Sequence, residues 1–258
     1  MTAIEQLDRL RAVVAPVVLP DVLRRPEFRF CKAGFDLSGL QHAIDAAKSS
    51  DAPEKAAESA LRRFKAPKGA GWQQAGYAHD DRDLTSWLKA GGNYGIIAGT
   101  AWEVDGRTVR LFILDADDVK AWAEAGFFDD LPKSTLTVQS SAPGKLHFYY
   151  LTDLESTKAH EELPGFGHLK FRASQCVGPG SLHPSGLRYT LIDGSPPAYV
   201  DAETLKAAIL RAAGALMPDR LVAVKDMFVV KPDHAARLDA NANKLEETAR
   251  RAKLDRIQ

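Results

Sequence analysis

Three observations predict a mixed α/β fold of the α+β kind, with a mainly antiparallel sheet flanked by helices. Apolar residues recur at helical spacing near both ends of the chain, short runs of strand length fill its middle, and two pairs of those runs are joined by tight turns. Strands joined by short turns pair antiparallel, because a parallel neighbour needs a crossover of a dozen residues or more.

Taken in order, Ile4, Leu7, Leu10 and Val14 fall on one face of a helix over residues 3–14, which Pro16 ends. Phe28 and Phe30 mark a short strand or extended segment within 24–30. Residues 37–47 read as a helix with Ser38 as its cap, and another helix starts at Pro53, where proline is tolerated, and runs to Phe64. The loop 65–72 is basic and rich in glycine and proline; it is either a linker or a lysine-bearing flap near phosphates. Residues 80–83 cap a helix through Leu88. Strands follow at 94–99, 102–104 and 109–114, the last two joined by Asp105-Gly106.

A helix over 119–128 ends at Leu131-Pro132, and strands at 135–139 and 146–151 flank the turn 140–145 as a second hairpin. Alternation returns at 168–172. After Cys176-Val177 the run Gly178-Pro179-Gly180-Ser181-Leu182-His183-Pro184-Ser185-Gly186 is a rigid loop before a strand at 189–192. Helices are expected at 202–216 and about 234–257.

The chain has 258 residues, 45% of them hydrophobic, enough for a core of ordinary size. Lys plus Arg and Asp plus Glu number 34 each, so overall charge leaves no footprint of a nucleic-acid binder, although a local basic groove suffices for one. The two cysteines, Cys31 and Cys176, are no disulfide framework and offer no CxxC pair, so a reducing, cytoplasmic setting and no structural zinc are expected. There is no signal-peptide pattern and no apolar stretch of the ~18 residues a membrane span needs, so no membrane partner is expected.

The chemistry centres on Leu111-Phe112-Ile113-Leu114-Asp115-Ala116-Asp117-Asp118. Side chains alternate along a strand, so Asp115 and Asp117 point the same way. Two carboxylates on one face at the end of a buried strand repel unless a cation lies between them, and a hard divalent ion with oxygen ligands, Mg²⁺ or Mn²⁺, suits them. The alternative is a strand that stops in a solvated acidic turn. His147 by itself reads more readily as a half-buried strand histidine than as a ligand, and Trp72, Tyr94 and Tyr149 more readily as core than as stacking platforms for bases.

The order of motifs is more specific than any one of them. Asn93-Tyr94-Gly95-Ile96 with Gly99, then Asp115-Ala116-Asp117, then a serine-rich turn with Gly144 and His147-Phe148-Tyr149, then the 178–186 loop and Tyr189 resemble the primase–polymerase domain of the archaeo-eukaryotic primase superfamily. The similarity is to the kind found in plasmid, phage and mobile-element replication proteins, and it runs from about Lys65 to about Val200.

The resemblance implies a primase-like catalytic core over 65–200; from the residues alone, a helical or αβ N-terminal segment over 1–64 is expected to pack on it, and a C-terminal helical segment over 201–258 is expected as either a linker to a further domain or a docked helix. It implies a metal-dependent nucleotidyltransferase with two Mg²⁺ or Mn²⁺ ions, acting on NTPs or dNTPs along a single-stranded DNA template, with a helicase as a further partner. Asp115 and Asp117 match the first motif, as metal ligands. Ser141, Lys145 and His147 match the second, as contacts to the incoming phosphates. Arg172, Ser181 and His183 would line the same cleft.

At one place the chain departs from this pattern. The third motif is an acid on the strand before the 178–186 loop, and that register places Lys170 there, with Arg172 matching an arginine two residues on. A protonated lysine binds no cation. His168, Lys170 and Arg172 are expected on one strand face, where His168 could replace the carboxylate and the two basic groups could grip a triphosphate. Two other functions stay open: a primase-fold module that binds single-stranded nucleic acid or nucleotides without synthesis, and a metal-dependent nuclease using Asp115, Asp117, His147 and His183.

Overall fold

The structure, a computed structural model, describes residues 1–73, 76–140 and 142–228. Helix α1 (Ala3–Val13) opens on a capping box, in which the Thr2 hydroxyl accepts from the Glu5 amide and the Glu5 carboxylate accepts from the Thr2 amide. A short 3₁₀ turn at Asp21–Leu23 precedes β1 (Phe30–Ala33), so the strand begins where the expected extended segment ends. Helix α2 (Leu37–Lys48) is capped by Asp36 and not by Ser38: the Asp36 carboxylate accepts from the Gly39 amide at 2.8 Å, whereas Ser38 already lies inside the first turn. Helix α3 (Pro53–Arg63) has proline in its first turn. The three helices close on Leu7, Leu10, Leu40, Ile44 and Phe64, a core of their own.

Helix α4 (Arg82–Lys89), capped by Asp81, leads to β2 (Asn93–Ile97), then the hairpin of β3 (Ala101–Val104) and β4 (Arg107–Ala116). Helix α5 (Val119–Glu124) is shorter than the periodicity predicts, because Gly126 at φ 75° turns the chain out of it. The second hairpin, β5 (Thr137–Gln139) and β6 (Leu146–Thr152), follows as expected. Next come β7 (His160–Leu163), β8 (Gly167–Lys170), β9 (Gln175–Val177), β10 (Thr190–Asp193), β11 (Ala198–Tyr199), α6 (Ala202–Leu216) and α7 (Leu221–Lys225). Strands β7 and β11 are unannounced in the sequence: one is a half-exposed, charged edge and the other is two residues long. The helix expected at about 234–257 lies outside the described residues.

The strands form two sheets. A small antiparallel sheet has the order β1-β2-β9, and an eight-stranded one runs β10-β5-β6-β4-β8-β7, with β3 beside the first half of β4 and β11 parallel to β6. Every other ladder is antiparallel, as a chain of hairpins requires. Strand β4 is the axis, and its two faces belong to different cores. Phe112, Leu114 and Ala116 face α5 and α6, meeting Trp122, Leu205 and Ile209. Val109, Leu111 and Ile113 face the small sheet, meeting Tyr94, Ile96 and Cys176. Asp115 continues this second face, at the mouth of the space between the two sheets. No helix among the described residues is long and apolar enough to cross a membrane.

Candidate active site

The sheet register assembles the site. On β4, Asp115 is directly opposite His147 of β6 on one side and His168 of β8 on the other, so all three side chains share a face. Lys170, opposite Ile113, shares it too. Close approach of the strands depends on Gly167: a Cβ there would lie 1.9 Å from the Asp115 carbonyl oxygen. Beyond the strand end Asp117 turns into the same cleft, a cavity of about 230 Å³. The small sheet supplies the opposite wall through Gln175 and Cys176, and the 65–72 loop supplies Lys65.

The two acids are held differently. Asp115 Oδ1 lies 3.2 Å from His147 Nε2, and Oδ2 lies 3.0 Å from Lys170 Nζ. Burial opposes its ionisation, but the Lys170 ammonium and the His147 imidazole outweigh that cost and hold its carboxyl well below the usual range. Lys170 also donates to the Gln175 carbonyl at 2.9 Å. Burial works against its ammonium, yet the Cys176 sulfur and the Asp115 carboxylate beside it raise its pKa above the ordinary lysine value. Among the described residues the Asp117 carboxylate pairs with Lys145, at 3.0 Å, and both side chains are nearly half exposed, at 45% and 44%.

Three lysines, Lys65, Lys145 and Lys170, thus line the cleft against two aspartates. The excess of positive charge reaches His183, whose pKa falls to about 4 through burial and then through Lys65 and Lys145. Its ring stands edge-on to Tyr189, which in turn packs against His147. Two buried acceptor-capable atoms of the cleft, His147 Nδ1 and Gln175 Oε1, have no hydrogen-bond partner among the described residues. Ligand atoms of Asp115, His147 and Cys176 lie within 4.8 Å of one another. Burial keeps the Cys176 thiol protonated, and Asp115 pushes the same way.

The other residues expected from the sequence fall as follows. Asp115, Asp117, Lys145, His147, His168 and Lys170 come together in the cleft. Ser181 does not: it is fully buried and its hydroxyl accepts from the Tyr94 amide. Arg172 does not either. Strand β8 stops at Lys170, so the two-residue period carries His168 and Lys170 inward but not Arg172, whose guanidinium donates to the Thr157 carbonyl at 2.6 Å on another surface. Tyr94 and Tyr149 are core, with no exposed face for a base. Ser141 lies outside the described residues. Gln175 and Cys176 line the cleft without a signal of their own, since the pairing of β9 with β2 brings them there, and Tyr189, the last member of the motif order, joins them through the return of the 178–186 loop.

The sequence model of a family described as bifunctional DNA primase/polymerase, N-terminal, matches residues 36–203, more than half of the chain. Among curated proteins none matches.

Proposed function

From the premise that the chain belongs to the bifunctional DNA primase/polymerase family, we propose that it is a DNA-dependent primase–polymerase. It would join NTPs or dNTPs on a single-stranded template with loss of pyrophosphate. The observation that carries this reading is the meeting of Asp115, Asp117 and His147 with three lysines in one small cleft. Its volume of about 230 Å³ is below the ~300–1,000 Å³ typical of sites that enclose a whole small molecule. A phosphate tail fits inside, with the sugar, base and template outside.

The family is typically metal-dependent, and the donors suit a hard divalent ion at the outer side of the acids. The Asp115 side chain keeps 23% of its surface exposed and Asp117 keeps 45%, so a cation can reach both carboxylates. Cys176 stays out of such a set, being a buried thiol among oxygen donors. When bound, Mg²⁺ or Mn²⁺ neutralises triphosphate charge and eases loss of the primer hydroxyl's proton.

The chain's own groups do the rest. His147 is fixed by Asp115 on one side and Tyr189 on the other, so its imidazole meets an incoming phosphate in one orientation. Lys145, released from Asp117, and Lys65 present mobile ammonium groups to the same phosphates. The experiment is incorporation of labelled nucleotide on a primer-free single-stranded DNA with Mg²⁺ or Mn²⁺. Product from the wild type, lost in Asp115→Ala, supports the reading; no product with either metal sinks it.

One observation favours a second reading. Lys170 takes the place of an expected acid and neutralises Asp115 at 3.0 Å, as in a module that binds nucleotide or single-stranded DNA without joining anything. Template binding without synthesis, unchanged in Asp115→Ala, identifies that case.

A further inference from the structure

Nucleotidyl transfer is commonly served by two divalent ions, one at the attacking oxygen and one at the leaving group. His168 also lines the cleft, but the two carboxylates that a pair of ions would share are already engaged. Of the four carboxylate oxygens on Asp115 and Asp117, both of Asp115 already have a close partner, His147 Nε2 for Oδ1 and the Lys170 ammonium for Oδ2. These two partners differ from Lys145 in one respect: they cannot leave. The Lys170 side chain is only 14% exposed, and its ammonium is tied to Asp115 Oδ2 at 3.0 Å and to the Gln175 carbonyl at 2.9 Å. The His147 side chain is 6% exposed. A divalent ion on the inner side of Asp115 would press against a fixed ammonium, and like charges at that range repel strongly in a partly desolvated site. On the outer side, among the described residues, Lys145 competes, and its half-exposed side chain can swing into solvent or onto a phosphate.

We propose that the Lys170 ammonium is a resident cation in place of one metal, so that the cleft binds a single exchangeable divalent ion, shared by Asp115 and Asp117. Lys170 then has two roles. It holds the Asp115 carboxylate in one orientation before any metal arrives, and it contributes a permanent positive charge beneath the phosphate tail. The inference rests on the proposed function, because it takes the same acids as ligands, but it concerns the number of ions and not the presence of synthesis.

The test counts ions directly. Electron paramagnetic resonance of the full chain is recorded with Mn²⁺ alone and with Mn²⁺ plus a non-hydrolysable deoxynucleoside triphosphate analogue, with thermal melting as the check on folding. The wild type is expected to hold one Mn²⁺ per chain with no spin coupling. Lys170→Glu, which returns an acid to the position, is expected to hold two coupled ions. Lys170→Met removes the charge without adding a ligand; it is expected to hold one ion, bound roughly tenfold more tightly than in the wild type, as loss of a close like charge requires. A coupled pair in the wild type overturns the inference while leaving primer synthesis standing. Equal Mn²⁺ affinity in the wild type and a folded Lys170→Met overturns it as well. No Mn²⁺ on the wild type under either condition removes the acids as ligands, and the proposed function falls with the inference.

Discussion

The two walls of the cleft are built on opposite principles. One wall, the face of β4, β6 and β8, sets an ion pair among imidazoles: Asp115, His147, His168 and Lys170 stand side by side on paired strands. The other, Gln175 and Cys176 of β9, is backed by a brace of neutral hydrogen bonds between β2 and the 178–186 loop. Asn93 donates to the Leu182 carbonyl and accepts from the Leu182 amide, each at 2.8 Å. The Tyr94 amide donates to Ser181 Oγ at 3.3 Å, and the Tyr94 hydroxyl donates to the Pro179 carbonyl at 3.0 Å. In the sequence the loop looks like the more chemical of the two, with its hydroxyls and imidazole between prolines. In the fold Ser181 accepts from the Tyr94 amide, and His183, bonded to Ser185, feels the charge of Lys65 and Lys145 without lining the cleft. A motif of polar residues is therefore no guide to which of them meets a ligand; burial on the partner element decides that.

Substitutions on the two walls separate the roles. The largest effect is expected from Asp115→Asn. Primer synthesis should fall by on the order of 10²-fold or more, since several kcal/mol of charge stabilisation are lost. Stability should fall too, by about 3 kcal/mol in denaturant titration, because the Lys170 ammonium is left buried without its counter-ion. Unchanged stability would mean that the charged wall is not held by this pair.

Asn93→Ala strikes the brace instead. It removes the buried hydrogen bonds to both backbone groups of Leu182 and a longer one to the Phe64 carbonyl, so about 2–4 kcal/mol of stability should go, with triphosphate affinity of the folded fraction unchanged. A selective loss of affinity would merge the two walls into one. Lys145→Ala should do the reverse: stability within about 0.5 kcal/mol of the wild type, because its pair with Asp117 is half exposed, and triphosphate analogue affinity weaker by roughly tenfold.

The smallest effect joins the walls through His183. Its pKa is depressed from 6.5 to about 4 in the folded chain. As pH falls from 6.5 to about 4, the unfolded chain takes up a proton that the folded chain resists, so stability declines with falling pH over that window. His183→Gln should flatten that decline. The imidazole signal, followed by NMR, should titrate near 4 and move upward when a triphosphate analogue binds beside Lys65 and Lys145.

Local signals carry far in this chain. The helical spacing of Leu7 and Leu10, the proline that opens α3, the Asp105-Gly106 turn and the alternation that sets Asp115 apart from its apolar neighbours all act within a few residues, where backbone geometry leaves little choice. Motif order added the family, because the succession of short elements survives without any knowledge of how they pair.

Pairing is what the sequence left open. That Lys170 meets Asp115, that Arg172 falls beyond the end of β8, that Ser181 is swallowed by β2, and that Cys176 faces His147 from another sheet all depend on register between segments far apart in the chain. A shift of one residue in any ladder turns each side chain to the opposite face, and only the packing of two cores on β4 selects one register. The identity of the charged residues was thus written in the sequence. Whether two charges become an ion pair, a metal site or a phosphate grip was decided by distance in the folded chain, since Coulomb forces fall with separation and strengthen with burial.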